Sequence, residues 1–230
     1  MSVWAVLAAA GRGERLGSDR PKAFARLGGR PLLAESLERL ESSDWIDQIV
    51  IAAPPDWEEP SILVAEEIAA TKVSSAVTGG ASRAESVRLA LEDVPEEAAV
   101  VLVHDAARPL LPEDVIERVL APLSDGWDGA VPALPIVDTV KRVESERVVE
   151  TLPRGELVAV QTPQAFLPDV LRRALAGDVS GATDCSSLVE AGGGRVKAVE
   201  GDPRLLKVTD EDDLVLVESW LETAADRAAE

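Results

Sequence analysis

Alternating apolar runs and helix-period stretches place the strongest constraint on the fold of this chain. Runs rich in valine, isoleucine, leucine and alanine predict strands at residues 3–10, 48–53, 73–78, 99–104 and 129–134. Helical spacing between them predicts helices at residues 31–42, 60–70, 82–93 and 112–123. Because the strand runs are continuously apolar, both faces of the sheet should be covered. The pattern predicts an α/β fold with a mainly parallel sheet and helices on both faces.

The later part of the chain departs from this alternation. Residues 136–157 contain two valine-rich runs around a polar centre, the pattern of a protruding β-hairpin arm. A two-stranded ribbon is marginal in water, so we expect the arm to pack against something, such as the arm of a second subunit. Further elements are predicted at 158–161 (strand), 168–176 and 183–191 (helices), 195–200 and 205–208 (edge strands), and from 210 (helix). We predict a single domain over residues 1–230, with 136–157 as an arm for dimerisation.

Charge and cysteine content exclude several classes of protein. The 230 residues contain 23 Lys and Arg against 42 Asp and Glu, a formal net charge of -19. This charge repels nucleic acids and anionic membranes, so neither is an expected partner. Cys185 is the one cysteine and His104 the one histidine, which leaves no disulfide and no zinc ligand set. We expect a cytoplasmic protein, with no targeting signal and no membrane span.

A basic segment follows the first predicted strand. Between Gly11 and Arg30 the charged residues are Arg12, Arg15, Arg20, Lys22, Arg26 and Arg30 against Glu14 and Asp19. The segment begins in LAAAGRGERL, whose small residues allow backbone amides to approach phosphate oxygens. Leu16 stands where a dinucleotide fingerprint, and hence a nicotinamide-dependent oxidoreductase, needs its third glycine. No P-loop ending is present either, so the sequence predicts another kind of phosphate-binding loop, with a tight turn and solvated arginines as the alternative.

The motif VHDAARPL lies at the end of a predicted buried strand, where open α/β sheets bind ligands. Asp105 could contact a ribose hydroxyl or a metal ion, and Arg108 could bind a phosphate. An internal Asp–Arg pair that pins the turn explains the motif equally well. His104 is predicted to be a packed histidine at the strand end.

Four further motifs offer polar groups at the ends of predicted elements. TGGASRAES is a glycine-rich helix start that presents Gly80 and Ser86 to a base or ribose, or is simply a capped helix. TPQAF and TDCSS place Thr162 and Thr183 at element ends. Lys207 is the only charge at the end of an apolar run, a pattern that by itself favours a lysine reaching solvent over one facing an anion.

Taken in order, these motifs resemble the 2-C-methyl-D-erythritol 4-phosphate cytidylyltransferase family nearly end to end. The matching segments are LAAAGRGERL, RPKAF, TGGASRAES, VHDAARPL, VDTVKRV, TPQAF, ATDCSSLVE and EGDPRLLKVTDEDDL. The resemblance implies a Rossmann-like nucleotidyltransferase domain, a homodimer joined through the β-arm, and Mg²⁺ as cofactor. It implies transfer of a cytidylyl group from CTP to a polyol phosphate, methylerythritol phosphate, with release of pyrophosphate. A related transferase that uses another polyol phosphate, such as ribitol phosphate, and a module that binds CTP without reaction are the alternatives.

The resemblance also implies roles for individual residues. The transition state would be stabilised by Arg15 and Lys22. The nucleotide would be bound by Ala9, Ala10, Gly11, Gly80 and Ser86, with Asp105 and Arg108 near the ribose, metal or phosphates. The acceptor phosphate would be contacted by Thr139, Arg154 and Lys207, with Thr162 and Thr183 lining the site. Mg²⁺ would sit mainly on the CTP phosphates, with Asp105 as its one protein ligand candidate. Ala81 and Cys185 depart from the family pattern.

Overall fold

The computed structural model describes residues 2–13, 16, 20–179 and 181–228. Its strands are β1 (Val3–Ala8), β2 (Arg26–Leu27), β3 (Arg30–Pro31), β4 (Gln48–Ala53), β5 (Val73–Thr78), β6 (Val100–Asp105), β7 (Gly129–Pro135), β8 (Lys141–Glu144), β9 (Arg147–Thr151), β10 (Val158–Val160), β11 (Gln164–Phe166) and β12 (Val196–Glu200). Its α-helices are α1 (Leu32–Glu41), α2 (Glu58–Glu67), α3 (Arg83–Ala90), α4 (Glu113–Ser124), α5 (Pro168–Leu175), α6 (Cys185–Ala191) and α7 (Glu211–Ala228).

One eight-stranded sheet forms the centre of the fold. Its strand order is β10-β7-β11-β6-β1-β4-β5, with β12 beside β7. The pairs β1–β4, β1–β6, β4–β5 and β7–β12 are parallel. Strand β11 runs antiparallel to both β6 and β7, so those two strands point the same way. The prediction of a mainly parallel sheet is confirmed.

Alternate side chains of the central strands, such as β1 and β6, enter two separate cores. Leu7 and Leu102 pack with α1, α2 and α4 on one face of the sheet. Val6 and Val101 pack with α3, α5 and α6 on the other face. Because successive side chains point to opposite faces, a strand buried on both sides must be apolar at every position. The prediction of helices on both faces is therefore confirmed.

The strand prediction is wrong at residues 205–208 and misses the short strands β2, β3 and β11. Residues 205–208 form no strand: a 3-10 turn spans Pro203–Leu205, capped by the Asp202 carboxylate, which accepts from the Arg204 amide at 2.8 Å. The capped turn at Pro203–Leu205 takes the place of the strand pairing that was predicted here. Strand β11 was not predicted, because three residues are too few to display a period.

The arm at residues 136–157 contains the predicted hairpin. Strands β8 and β9 form a two-stranded sheet of their own, joined through Ser145 and Glu146, which both have positive φ. Several valines of the arm are exposed, including Val137 at 82% and Val143 at 55%. Within the ranges described, no helix has the length and apolar character needed to cross a bilayer.

Candidate active site

The loops that follow β1, β5 and β6 converge at one edge of the sheet. Backbone hydrogen bonds join their first residues to the neighbouring strands: the Gly79 amide donates to Ala53 at 2.7 Å, and the Ala106 amide donates to Ala8 at 3.1 Å. Together the loops enclose a cleft of about 1120 Å³. The carboxyl edge of the sheet is where open α/β folds bind ligands, and this cleft lies there.

Eight of the predicted site residues line this cleft: Ala9, Ala10, Gly11, Lys22, Gly80, Ser86, Asp105 and Lys207. Five cationic residues are among the lining residues that the structure describes: Arg12, Arg20, Lys22, Arg83 and Lys207. Asp105 is the one carboxylate among them. In a chain with a net charge of -19, this local excess of positive charge suits a polyanionic ligand.

Small residues form one wall of the cleft at a spacing that excludes side chains. A Cβ atom added to Gly79 would lie 2.3 Å from the Cβ of Ala10, and one added to Gly80 would lie 2.2 Å from Cγ of Glu85. Real Cβ atoms do not approach other atoms so closely, so a side chain at Gly79 would collide with Ala10 and the Ala53 carbonyl, and one at Gly80 would displace the Glu85 side chain. The wall therefore consists largely of backbone, which a planar base can approach closely.

The loop behind this wall is held by the start of α3. Ser82 caps the helix, its Oγ accepting from the Glu85 amide at 3.1 Å. Ser86 Oγ accepts from the Gly80 amide at 3.1 Å and donates to the Ser82 carbonyl at 2.8 Å. The Glu85 carboxylate accepts from the Ala81 amide at 2.8 Å. The capped-helix and ligand-contact interpretations of TGGASRAES are thus compatible, since the cap fixes the loop that lines the cleft.

Asp105 is buried at the end of β6 and is surrounded by cations. Arg83 Nε donates to its Oδ1 at 2.7 Å, Lys207 Nζ donates to its Oδ2 at 2.7 Å, and Arg108 Nε lies 3.9 Å from Oδ2. Burial alone would raise the pKa of Asp105, but these cations hold it well below its usual range. Asp105 is therefore a carboxylate at neutral pH.

The sequence reasoning missed Arg83, although a signal was present. Arg83 is the first residue of α3, where the helix dipole disfavours a positive charge. A cation at that position indicates a nearby anion that stabilises it, and in this structure the anion is Asp105. The two residues are 22 positions apart, so the pair is not evident in the sequence.

Arg108 and Lys207 both lie beside Asp105, but Lys207 lines the cleft and Arg108 does not. Arg108 Nη1 donates to the Leu205 carbonyl at 2.5 Å, and its side chain lies beside the cleft, not in its lining. Its Nε lies 3.9 Å from Asp105 Oδ2, so the internal Asp–Arg pair of the pinning interpretation is present. Lys207, for which the pattern favoured solvent, lines the cleft against Asp105 with 40% of its side chain exposed.

A buried set of hydrogen bonds that involves Thr162 and His104, called the relay below, lies directly behind Asp105. The Asp105 amide donates to Thr162 Oγ1 at 3.1 Å, and Thr162 Oγ1 lies 3.1 Å from His104 Nδ1. His104 Nε2 lies 3.0 Å from the Arg108 carbonyl, which can only accept. The relay is satisfied when Nε2 carries the proton and Thr162 donates to Nδ1. His104 is fully buried, so its prediction as a packed histidine is confirmed, while Thr162 lies behind the cleft lining.

This relay makes a prediction about stability and pH. Burial lowers the pKa of His104 to about 4, against 6.5 for an unperturbed histidine. Between those pH values the unfolded chain binds a proton at His104 that the folded chain does not. The contribution of neutral His104 to the free energy of unfolding is therefore fully present above pH 6.5 and is lost as the pH falls. We expect urea unfolding to show that the free energy of unfolding falls between about pH 7 and about pH 5. The fall should be about 2 kcal/mol larger for the native protein than for His104→Gln. Equal losses would contradict a neutral buried histidine.

The remaining predicted residues lie away from the cleft of this chain or outside the described ranges. Thr183 is exposed and precedes Asp184, whose carboxylate caps α6 by accepting from the Ser187 amide at 3.0 Å. The helix starts later than predicted because the aspartate is the better placed cap. Thr139 and Arg154 are exposed on the arm, where Arg154 Nη1 donates to the Val137 carbonyl. Arg15 lies outside the residues that the structure describes.

The donor set of the cleft fits a magnesium ion that arrives with its ligand. Among the described residues, no three His, Cys, Asp or Glu side chains are grouped to hold a metal. Mg²⁺ is commonly bound by one or two carboxylates together with substrate phosphates and water. Asp105 supplies one such carboxylate, whose Oδ2 faces the cleft and bonds to Lys207 here, so the ion would share or replace that contact. A bound polyphosphate would supply the other oxygens.

The chain is similar in sequence and in fold to known proteins. A family model described as 2-C-methyl-D-erythritol 4-phosphate cytidylyltransferase matches residues 3–223. Proteins of that name from Frankia casuarinae and Nocardia farcinica are 46% identical over 220 residues and 44% identical over 225 residues. These matches cover 95% of this chain and 81% of the first relative, and 97% and 96% for the second. A crystal structure of that name from Thermus thermophilus is 34% identical with a TM-score of 0.78, covering 96% of this chain and 100% of its own.

Proposed function

We infer the reaction from one premise: this chain belongs to the 2-C-methyl-D-erythritol 4-phosphate cytidylyltransferase family. It transfers the cytidylyl group of CTP to 2-C-methyl-D-erythritol 4-phosphate. The products are 4-diphosphocytidyl-2-C-methyl-D-erythritol and pyrophosphate, in the non-mevalonate synthesis of isoprenoid precursors. The observation that carries this conclusion, beside the family, is the cationic cleft around Asp105 at the carboxyl edge of the sheet.

The chemistry requires positioned charge and no side-chain nucleophile. A phosphate oxygen of the acceptor attacks the α-phosphorus of CTP, and the bond to the leaving pyrophosphate breaks in line with that attack. The acceptor phosphate is ionised at neutral pH, so no general base is needed. The protein contributes by holding two anions together and by stabilising the charge that develops on the phosphoryl group. His104 and Cys185, both fully buried, are not needed for the step.

The nucleotide half of the site is proposed to lie along the small-residue wall. The backbone around Ala10 and Gly80 leaves room for a flat pyrimidine held by backbone groups, with the triphosphate directed toward Arg12 and Lys22. The transition-state roles of Lys22 and Arg15 come from the family resemblance. For Lys22, its place in the lining of the cleft supports the proposal.

The acceptor half is proposed to involve a second copy of the chain. Lys207 lies in the cleft of its own chain, whereas Thr139 and Arg154 lie on the exposed arm. A homodimer in which each arm reaches the partner's cleft would bring these residues to the acceptor phosphate. The exposed arm valines, such as Val137 and Val143, support such packing because a free two-stranded ribbon is marginal in water.

Mg²⁺ is the proposed cofactor, with Asp105 as its protein ligand. When bound, the ion neutralises negative charge on the triphosphate. We also propose that the protein works in the cytoplasm, where its one thiol, the buried Cys185, stays reduced.

A substrate panel tests the proposed function. Purified protein is expected to release pyrophosphate from CTP and methylerythritol phosphate, and much less from ATP or GTP, because the small-residue wall suits a pyrimidine. Removal of Mg²⁺ with a chelator should abolish the release. Ribitol phosphate in place of methylerythritol phosphate tests the nearest alternative acceptor. Equal turnover of GTP would refute the nucleotide assignment, and CTP binding without pyrophosphate release would indicate a binding module.

A further inference from the structure

The guanidinium of Arg83 makes an unusual, one-sided contact with Asp105. Arginine commonly binds a carboxylate with two parallel hydrogen bonds. Here only Nε bonds to Oδ1, at 2.7 Å, while Nη2 is buried and makes no hydrogen bond within the described residues. The second carboxylate oxygen, Oδ2, is left to Lys207 on the side of the cleft. The contact therefore fixes the carboxylate without occupying both of its oxygens.

The other partner of Arg83 is electrically neutral. Arg83 Nη1 lies 3.4 Å from Sγ of Cys185, the first residue of α6, which is fully buried. Burial raises the pKa of the Cys185 thiol, so it remains protonated near neutral pH. A thiol is a weak hydrogen-bond partner. Among the described residues, Asp105 is the one anion paired with Arg83, while the thiol limits the movement of the guanidinium.

We propose that Arg83 is a positioning residue for nucleotide binding, which acts by holding the Asp105 carboxylate with one oxygen directed into the cleft. The inference rests on the proposed function, in which Asp105 lies beside the CTP ribose, phosphates and Mg²⁺. Without Arg83, Asp105 would keep its burial and the Lys207 contact on Oδ2, but it would lose the contact that fixes Oδ1. The carboxylate would also lose one of the three cations around it, so it would be less well oriented and would repel the triphosphate more strongly.

The test is a double-mutant cycle read by the affinity for CTP. Arg83→Gln is expected to raise the calorimetric Kd for CTP in the presence of Mg²⁺ roughly 10- to 100-fold. In the Asp105→Asn background the same substitution should change the Kd by less than about threefold, since the carboxylate through which Arg83 acts is gone. Arg83→Lys should restore part of the affinity because it retains the charge.

Additive effects in the cycle would overturn the proposal, because they would mean that Arg83 acts on the nucleotide directly as a charge. Arg88→Gln is the matched control: Arg88 lies on the same helix, half exposed, with Glu85 at 3.4 Å, and its loss should leave the Kd unchanged. Circular dichroism melts establish that each variant folds. If Arg83→Gln does not, Arg83→Lys with and without Asp105→Asn takes its place in the cycle.

Failure of this proposal can be separated from failure of the proposed function. If the native chain releases pyrophosphate from CTP and methylerythritol phosphate while Arg83→Gln keeps a native Kd, only the positioning role is refuted. If the native chain neither binds CTP nor releases pyrophosphate, the function itself is refuted.

Discussion

Lys22→Ala is expected to lower kcat roughly 100-fold or more, the scale observed when one donor that stabilises transition-state charge is removed. The Lys22 side chain lines the cleft, while the backbone beneath it is held by other contacts. The Lys22 amide donates to the Gly11 carbonyl at 3.2 Å, and Phe24 in the same turn packs against Trp57 with ring centroids 4.4 Å apart. The substitution should therefore remove charge while leaving the loop in place.

Steady-state kinetics with saturating CTP and methylerythritol phosphate measure this effect. Arg26→Ala is the matched control, since Arg26 belongs to the same basic segment but is exposed and donates to the Gly29 carbonyl at 3.2 Å. It should retain nearly all of the native kcat. Arg15→Ala is expected to behave like Lys22→Ala on the strength of the family resemblance. Near-native kcat in both variants would reassign the segment to a structural role.

The fold could be predicted because its strands are buried on both faces. Strand β6 is buried throughout, and its residues Val100–Val103 alternate between the two cores, which produces a continuous apolar run that local pattern reading detects. The arm could also be predicted from a local pattern, because its two valine-rich runs flank a polar centre. Short elements held by contacts with distant residues, such as β11 and the turn at Pro203–Leu205, give no such signal.

The candidate site was predictable as a set of motifs but not as a set of contacts. Position at the carboxyl edge of a parallel sheet follows from topology, so Asp105 could be assigned to a ligand site from its strand alone. Its pairing with Lys207 spans 102 residues, and nothing local to either residue encodes it. Thr162 shows the converse: a hydroxyl at an element end was expected to face the ligand, whereas it completes the hydrogen bonds of a buried histidine. Polar groups in a core need partners as much as ligands do.

Two inactive variants are expected to restore each other's activity if the site is shared between subunits. Arg154→Ala should chiefly raise KM for methylerythritol phosphate and spare CTP binding, because it removes a charged contact to the acceptor phosphate alone. At acceptor concentrations well below that KM, Arg154→Ala and Lys22→Ala chains are each nearly inactive. In a mixed dimer, the cleft with an intact Lys22 receives an arm with an intact Arg154, so one of the two sites is complete.

After equal mixing and full exchange, half of the dimers are mixed, so recovery should approach about a quarter of native activity. Subunit exchange is verified independently with chains carrying two different tags. The matched control mixes Lys22→Ala with the double variant Lys22→Ala/Arg154→Ala, which offers no intact Lys22 in any pairing and should recover nothing. Verified exchange without recovery would mean that Arg154 serves its own chain. A monomer by light scattering would exclude a shared site altogether, and would leave the exposed arm valines without the proposed partner.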